Sequence, residues 1–518
     1  MVKSYNKVIF PKLSSKDSFR TFLIIFILEL AGGIYLGYFK GILLNDAFSR
    51  TANTFYVLYI KPLRLASVGF VWNPLPSMLQ LPFVELSKIW RPIVSSGISG
   101  SIVTAASAAF NAVMLFKVFT RFGIGKKYSL PIILLYVLNP FIFFYGMNGM
   151  SEQIFFVFAI YSVINMTLWM SEGSPEYIVK IAFSLAFAFF CRYEAIPFAA
   201  GIGLAVLINI FFNKNEKKFI PASKKHERYY YSEGTAVVLY APIAYGILIW
   251  IFLNWSITGN PFYFLNSVYS NTVQSQLSKP IGSTLGIIKY VAIRSLPFII
   301  PLLGVIIERI ATKRFLKSDF FMLFAVVISM IVFHFMMLVK GSSYGWLRFF
   351  SYALPITISF IPYEMHEVKK FFRPAVFWIF IFSLITSSVF AAKALSSPVI
   401  GVEEHYVLVS NEYDEISDCI NNNLSDYKVI MDSFLTSGII LNVNNVGNLI
   451  VSSSLNFNKY LRNPVKYGIQ YILVPDPDSN LGSLDSFNRV YPNLYKHGED
   501  WCILYKEFDG FKIFKVTD

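Results

Sequence analysis

Apolar runs long enough to cross a bilayer alternate with short polar or basic gaps from residue 21 to residue 395. A spanning helix needs about 20 consecutive, mostly apolar residues. Eleven stretches qualify: 21–39, 98–120, 128–147, 151–170, 178–192, 195–213, 235–254, 284–307, 320–339, 347–363 and 374–395. Pro131 and Asn139-Pro140 interrupt the third, and Arg192-Tyr193-Glu194 separates the fifth from the sixth. The first stretch has Glu29 inside it and no small-residue cleavage site, so it reads as a span and not as a signal peptide. Beyond about residue 396 the pattern changes to short apolar runs bounded by turn residues such as Pro475-Asp476-Pro477-Asp478. Runs 406–409, 428–431, 438–441, 471–474 and 511–514 predict strands, and 414–424 and 485–495 predict helices. The expected fold is a polytopic α-helical membrane protein of about 11 transmembrane helices with a small C-terminal α/β domain. Its expected parts are a cytoplasmic tail (1–20), a membrane domain (21–395) and an extracytoplasmic domain (396–518).

Composition agrees with this pattern. Of 518 residues, 55% are hydrophobic and only 15% charged, against about 25% charged in a soluble domain. A disordered chain, a collagen-like chain and a disulfide scaffold are excluded. The net charge of +14 is therefore read as loop charge on a membrane protein, with no nucleic-acid partner. Lys and Arg collect at alternate gaps: Lys3, Lys7, Lys12, Lys16 and Arg20; Arg121, Lys126 and Lys127; Lys214, Lys217, Lys218, Lys224, Lys225 and Arg228; Arg309, Lys313, Arg314 and Lys317; Lys369, Lys370 and Arg373. Those gaps are expected to be cytoplasmic, which places the N-terminus inside and the C-terminus outside a cell membrane. Three segments then lie outside: 40–97, 255–283 and everything past 396. Cys419 and Cys502 fall in the last of these, where either a bridge or two free thiols is open.

The candidate chemistry gathers on that outer side. Asp46, Arg50 and Asn53 are spaced to share one face of a helix. Trp72-Asn73 lies in the same loop, and Pro74, Pro76, Pro82 and Pro92 are expected to shape it into short helices along the membrane surface. Glu152 opens the fourth span after Ser151. Arg192 and Glu194 stand at the next outer turn, Asn260 follows the seventh span, and Tyr344, Trp346 and Arg348 lie around the start of the tenth. Ionisable groups beside the apolar slab are functional candidates by default. A carboxylate can take a proton from an attacking hydroxyl, and a guanidinium fork matches two phosphate oxygens. Trp72 and Trp255 can stack on sugar or anchor the interface. Glu29 reads as a structural pair or as lining of a donor cavity, and His334 as a packed residue.

The order of an outer loop with an early acid, Gly-Met-Ser-Glu at 149–152, Arg-Tyr-Glu at 192–194 and an external C-terminal domain resembles the GT-C superfamily of polytopic glycosyltransferases. Within it the chain is most similar to polyprenyl-phosphate-mannose-dependent mannosyltransferases. The resemblance covers roughly residues 20–395. It implies that Asp46 is the catalytic acid–base residue, that Ser151 and Glu152 match the family's serine–glutamate pair, and that Arg348, with Arg192 second, holds the donor phosphate. Asn45 stands where many relatives carry a second acid, so no metal is expected to be required. The implied reaction moves a hexose, mannose foremost, from a polyprenyl-phosphate donor to a glycan, lipid or protein acceptor with inversion. Arg50, Asn53, Trp72, Asn73, Glu152, Glu194, Asn260 and Tyr344 would bind substrate. The alternative is a lipid-linked sugar flippase or other polytopic transporter. Against it, the halves show no internal repeat and the polar residues gather at one face and not at mid-membrane.

Overall fold

Helices occupy the long apolar runs, and several continue through an internal proline, including Pro131, which the sequence predicts as a break but which lies inside a helix. The computed structural model describes residues 14–213, 225–275, 282–400, 407–409, 413–479 and 481–517. Lys3, Lys7, Lys12, Lys214, Lys217, Lys218, Lys224 and Tyr406 lie outside the described residues.

The membrane domain is built from α1 (Ser15–Ile34), β1 (Ile42–Leu44), α2 (Asn45–Tyr59), α3 (Ile98–Arg121), α4 (Lys126–Val137), α5 (Pro140–Met147), α6 (Ser151–Glu172), α7 (Glu176–Cys191) and α8 (Ala195–Phe212). It continues through α9 (Lys225–Thr258), α10 (Thr284–Ala311), α11 (Ser318–Val339), α12 (Ala353–Glu367) and α13 (Arg373–Leu395). Helices thus occupy all eleven apolar stretches. Eight are long and apolar enough to span, and a ninth span counts if α4 and α5 are one broken element. The fifth and tenth stretches form helices of only 16 and 15 residues. The chain is an integral membrane protein.

The breaks have local causes. Asn139 ends α4 and caps α5, its side chain accepting from the Phe141 N–H at 3.1 Å, and Pro140 supplies the first position of the new helix. The two helices meet at a bend of 66°. Pro301 in α10 lacks the N–H that would bond the Pro297 carbonyl. The Ser387 hydroxyl of α13 donates to that carbonyl instead, at 2.6 Å. Glu29 on α1 is buried against Gly146 of α5, where a Cβ would meet the carboxyl carbon at 2.5 Å. Among the described residues neither oxygen of Glu29 has a hydrogen-bond partner.

At the end of the bundle away from α2, Arg309 bonds Asp319 (2.9 Å) and Glu364, and Arg314 bonds Glu308 (2.6 Å) and Glu364 (2.9 Å). These two arginines read as loop charge in the sequence. They are buried ion-pair partners that join α10, α11 and α12.

The C-terminal domain adds β2 (Val407–Val409), α14 (Asp414–Asn423), β3 (Val429–Met431), α15 (Ser433–Asn442), β4 (Leu449–Val451), β5 (Tyr471–Pro475), β6 (Cys502–Phe508) and β7 (Phe511–Val516). Its sheet runs β4-β3-β5-β7-β6, parallel among β3, β4 and β5 and antiparallel beyond. Successive strand residues face opposite ways. Val429 and Met431 pack with Phe48, Ala52, Phe55 and Tyr56 of α2, whereas Ile430 packs with Phe457, Phe487 and Phe514 on the far side. One face of the sheet and the helix carrying Asp46 therefore share a core.

Three expectations are corrected here. Residues 438–441 are helix, because Asp432 caps α15 on the Phe434 N–H (3.0 Å) and the apolar run lies within that helix. The strand at 407–409 pairs antiparallel with β1 of the first loop and lies outside the C-terminal sheet. Residues 485–495 form two short helices, Ser486–Val490 and Leu494–His497, interrupted near Pro492. Of the two readings left open for Cys419 and Cys502, the structure has both thiols free. They belong to cores on opposite faces of the sheet. The loop-one prolines open short helices as expected, at Leu75–Met78, Leu81–Val84 and Pro92–Ser95.

Candidate active site

Four separate elements deliver charged side chains to one point. α2 places Asp46 in its first turn, and α6 places Glu152 in its first turn. Helix N-termini favour carboxylates there. The α7–α8 link supplies Arg192 and Glu194, and the 3-10 turn Leu347–Phe350 supplies Arg348.

Arg348 Nη2 donates to Asp46 Oδ2 at 2.7 Å, and its Nε lies 3.5 Å from Glu152 Oε1. Arg192 Nη1 donates to the same Glu152 oxygen at 2.6 Å and to the Ser151 hydroxyl at 2.9 Å. Its other edge grips Glu194, Nη2 to Oε1 at 2.6 Å and Nε to Oε2 at 3.3 Å. The result is a continuous run of alternating charge, Asp46–Arg348–Glu152–Arg192–Glu194. Asp46 is the open end: 34% of its side chain is exposed, against 6% for Arg348 and 0% for Glu152. Among the described residues Asp46 spends only Oδ2 on the run, leaving Oδ1 for another donor.

Arg50 lies one helical turn beyond Asp46 and is buried, its guanidinium 4.9 Å from the Trp72 ring. Burial, then the neighbouring Arg192 charge, hold its guanidinium below the usual arginine value against the pull of Asp46 and Glu152. Among the described residues its Nε and Nη1 have no hydrogen-bond partner. Arg348 lies over an aromatic stack: its guanidinium sits 3.9 Å from the Trp346 ring, which stacks on Tyr344 at 4.6 Å. Burial and the Asp46 charge push the Tyr344 phenol up to about 12.

Glu194 reports on the run most directly. Burial alone would raise its carboxyl, but the charge and hydrogen bonds of Arg192, with a contribution from His334, outweigh it and hold the group at about 2. Its unfolded value is near 4.5. A carboxyl held below its unfolded value stabilises the fold fully above that value, and this contribution is lost as pH falls from 4.5 toward 2. The melting temperature of the wild-type chain should therefore drop through that window. Glu194→Gln should flatten this part of the profile, and two superimposable profiles would show that the pair contributes nothing.

The remaining sequence candidates divide. Trp72 covers Arg50, as above. Asn73 ties loop one to α7, donating to the Phe189 carbonyl at 2.6 Å. Asn53 stays half-buried on α2. Asn260 accepts from the Phe262 N–H at 2.9 Å, a local turn that does not join the run. Trp255 is exposed on α9 beside Phe252. His334 stacks flat on Phe349 at 5.2 Å. Two neighbours escaped sequence reading. Tyr193 donates to the Val71 carbonyl at 3.1 Å and accepts from the Trp250 indole at 3.0 Å. Tyr352 is buried beside Arg192 and Glu194. Tyr352 lies inside an apolar run and Tyr193 enters the sequence reading only as the middle of Arg-Tyr-Glu, so neither carries a signal that separates its role from packing. Among the described residues, no group of three or more His, Cys, Asp or Glu side chains is placed to hold a metal ion.

No family model and no curated protein matches the chain. Solved structures do. ArnT from Cupriavidus metallidurans in the apo state superposes with a TM-score of 0.57 at 10% identity, covering 97% of this chain and 98% of that one. The same protein bound to undecaprenyl phosphate gives 0.55 at the same identity and coverage. The Archaeoglobus fulgidus oligosaccharyltransferase is more distant, at 0.45 and 10% identity over 89% of this chain and 70% of that one. The chain shares its overall fold with ArnT.

Proposed function

We propose that the chain is a membrane glycosyltransferase that moves a sugar, a hexose with mannose foremost, from a polyprenyl-phosphate donor to a glycan, lipid or protein acceptor. The observation that carries this reading is a buried, uncommitted guanidinium, Arg50, one helical turn from a solvent-open carboxylate, Asp46. Three carboxylates and three guanidiniums meet here, so the charges of the site itself cancel. Arg50 holds unused donors in that balance, and an entering anion would satisfy them. The fold shared with a protein crystallised on undecaprenyl phosphate supports a lipid phosphate as that anion.

In the proposed reaction Asp46 Oδ1 accepts the proton of the acceptor hydroxyl as its oxygen attacks the anomeric carbon. The bond from that carbon to the phosphate oxygen breaks, and polyprenyl phosphate leaves with the bonding pair. Arg348 and Arg50 meet the charge that develops on the phosphate. One displacement inverts the anomeric centre. A phosphate could reach Arg192 only by displacing Glu152 or Glu194, so its part is to hold those two carboxylates, which position sugar or acceptor. We assign the Asp46 face to the extracytoplasmic side of a cell membrane, with the N-terminus inside, from the alternation of basic gaps.

Turnover in detergent micelles tests the reading, because a flippase has no second leaflet there. Labelled hexose should leave the lipid donor and reach acceptor. Arg50→Met should raise the KM for donor by about tenfold or more, as expected for a lost charged hydrogen bond. An unchanged KM removes Arg50 from the donor site.

A further inference from the structure

The parallel strands of the C-terminal sheet reverse their order between β3 and β5. In such a sheet the crevice at the carboxyl ends of those strands is the usual ligand position. Here the chain fills it with a side chain of its own membrane domain. Asp432 follows β3, and its Oδ2 accepts from the Ser486 N–H at 2.9 Å, from the Ser486 hydroxyl, and from the Tyr269 phenol at 2.8 Å. Arg489 donates to the Tyr269 oxygen at 3.0 Å, and the Tyr269 ring lies 4.9 Å from that of Phe434. Burial and the Asp432 charge push the Tyr269 phenol up, so it stays a donor at neutral pH.

The segment that carries Tyr269 also reaches the acid–base run. Five residues earlier Phe264 stacks on Tyr193 at 5.1 Å, and Tyr193 stands between Arg192 and Glu194. Six residues later the Ser275 hydroxyl donates to the Gly341 carbonyl at 3.2 Å, at the start of the loop that carries Arg348. Between them Ser270 pins the turn, donating to the Leu265 carbonyl at 2.9 Å and accepting from the Val273 N–H at 3.3 Å. One stretch of chain, 263–275, is thus fixed to the C-terminal domain at its middle and to both arms of the site at its ends.

We propose that Tyr269 and Asp432 are positioning residues. Their hydrogen bond lets the C-terminal domain hold 263–275, and through Tyr193 the Arg192–Glu194 arm, in the geometry for transfer. The domain acts by bracing the site, and its strand-end crevice takes no acceptor. The kinetic half of this inference rests on the transferase reading; the structural half does not.

The test compares wild type with Tyr269→Phe in the full-length chain, reading amide hydrogen exchange and donor turnover together. The substitution keeps the ring against Phe434 and removes only the hydroxyl. Exchange across 263–275 and 192–194 should rise about tenfold. The kcat should fall about tenfold, with the KM for donor within about twofold of wild type. Asp432→Asn should give the same pattern, with no further loss in the double variant. Unchanged exchange overturns the inference whatever the turnover, and so does raised exchange with unchanged kcat. If wild type turns over no donor, the transferase reading fails, and the exchange comparison alone decides whether the contact holds the arm.

Discussion

Asp46→Asn should reduce transfer by about 10²–10⁴-fold, the usual contribution of a general base, while the chain folds as before. Asparagine has the size and shape of aspartate, and its carbonyl oxygen can still accept from Arg348 where Asp46 Oδ2 now does, at 2.7 Å. It cannot take up a proton. Glu152 remains engaged by both Arg192 and Arg348, so no buried carboxylate is stranded. Donor binding should persist, because the phosphate is assigned to Arg348 and Arg50. The loss should therefore appear in kcat, with little change in the KM for donor. Asp46→Asn turning over as wild type does would remove Asp46 from the chemistry.

Arg192→Met should have the largest effect on stability, about 3–5 kcal/mol, the range for breaking a buried ion pair by removing one partner. Arg192 is the sole guanidinium on Glu194 among the described contacts and shares Glu152 with Arg348. Its removal leaves Glu194 buried with no cation and the Ser151 hydroxyl without its donor. Arg348→Met should be milder for the fold, because Arg192 still holds Glu152 and Asp46 is open to solvent. Thermal melting in the same detergent checks the order. Equal melting temperatures for Arg192→Met and wild type would show that the run of charge is not a structural unit.

The membrane domain was legible because its signal is long and coarse. Twenty apolar residues leave a helix few alternatives, and Asn139-Pro140 announces its own break. The charged members of the run were legible as well, since each stands at the end of an apolar stretch where a charge is costly. Their pairing was not. Arg192 and Arg348 look alike in sequence, and only three-dimensional placement shows that one has its fork filled by Glu152 and Glu194 while the other faces Asp46. Arg309 and Arg314 gave the reverse error. They sit in a basic gap, yet Asp319 and Glu364, which neutralise them, come from the next two helices.

The C-terminal domain was harder to read because its apolar runs are short. A four-residue run such as 438–441 fits a buried strand or a buried helix equally well by periodicity. The cap at Asp432 decides it, and a lone Asp before Ser433 is a weak signal amid many turn residues. The strand at 407–409 has the expected type, but its mate, β1, lies more than 360 residues earlier in the chain and outside the C-terminal sheet. Tyr269 could not be found at all. A tyrosine in a polar outer segment gives no hint that a carboxylate across a domain boundary accepts its hydrogen bond.

The measurement that bears most directly on the central claim is release of polyprenyl phosphate by the purified chain in micelles, wild type against Asp46→Asn, with polyprenyl-phosphate mannose, glucose and arabinose as donors. The account predicts release by wild type with at least one hexosyl donor, matched mole for mole by glycosylated acceptor, and its loss in the variant. Lipid-phosphate binding by both proteins with no release from any donor would contradict it and favour a protein that moves lipid-linked sugars without transferring them.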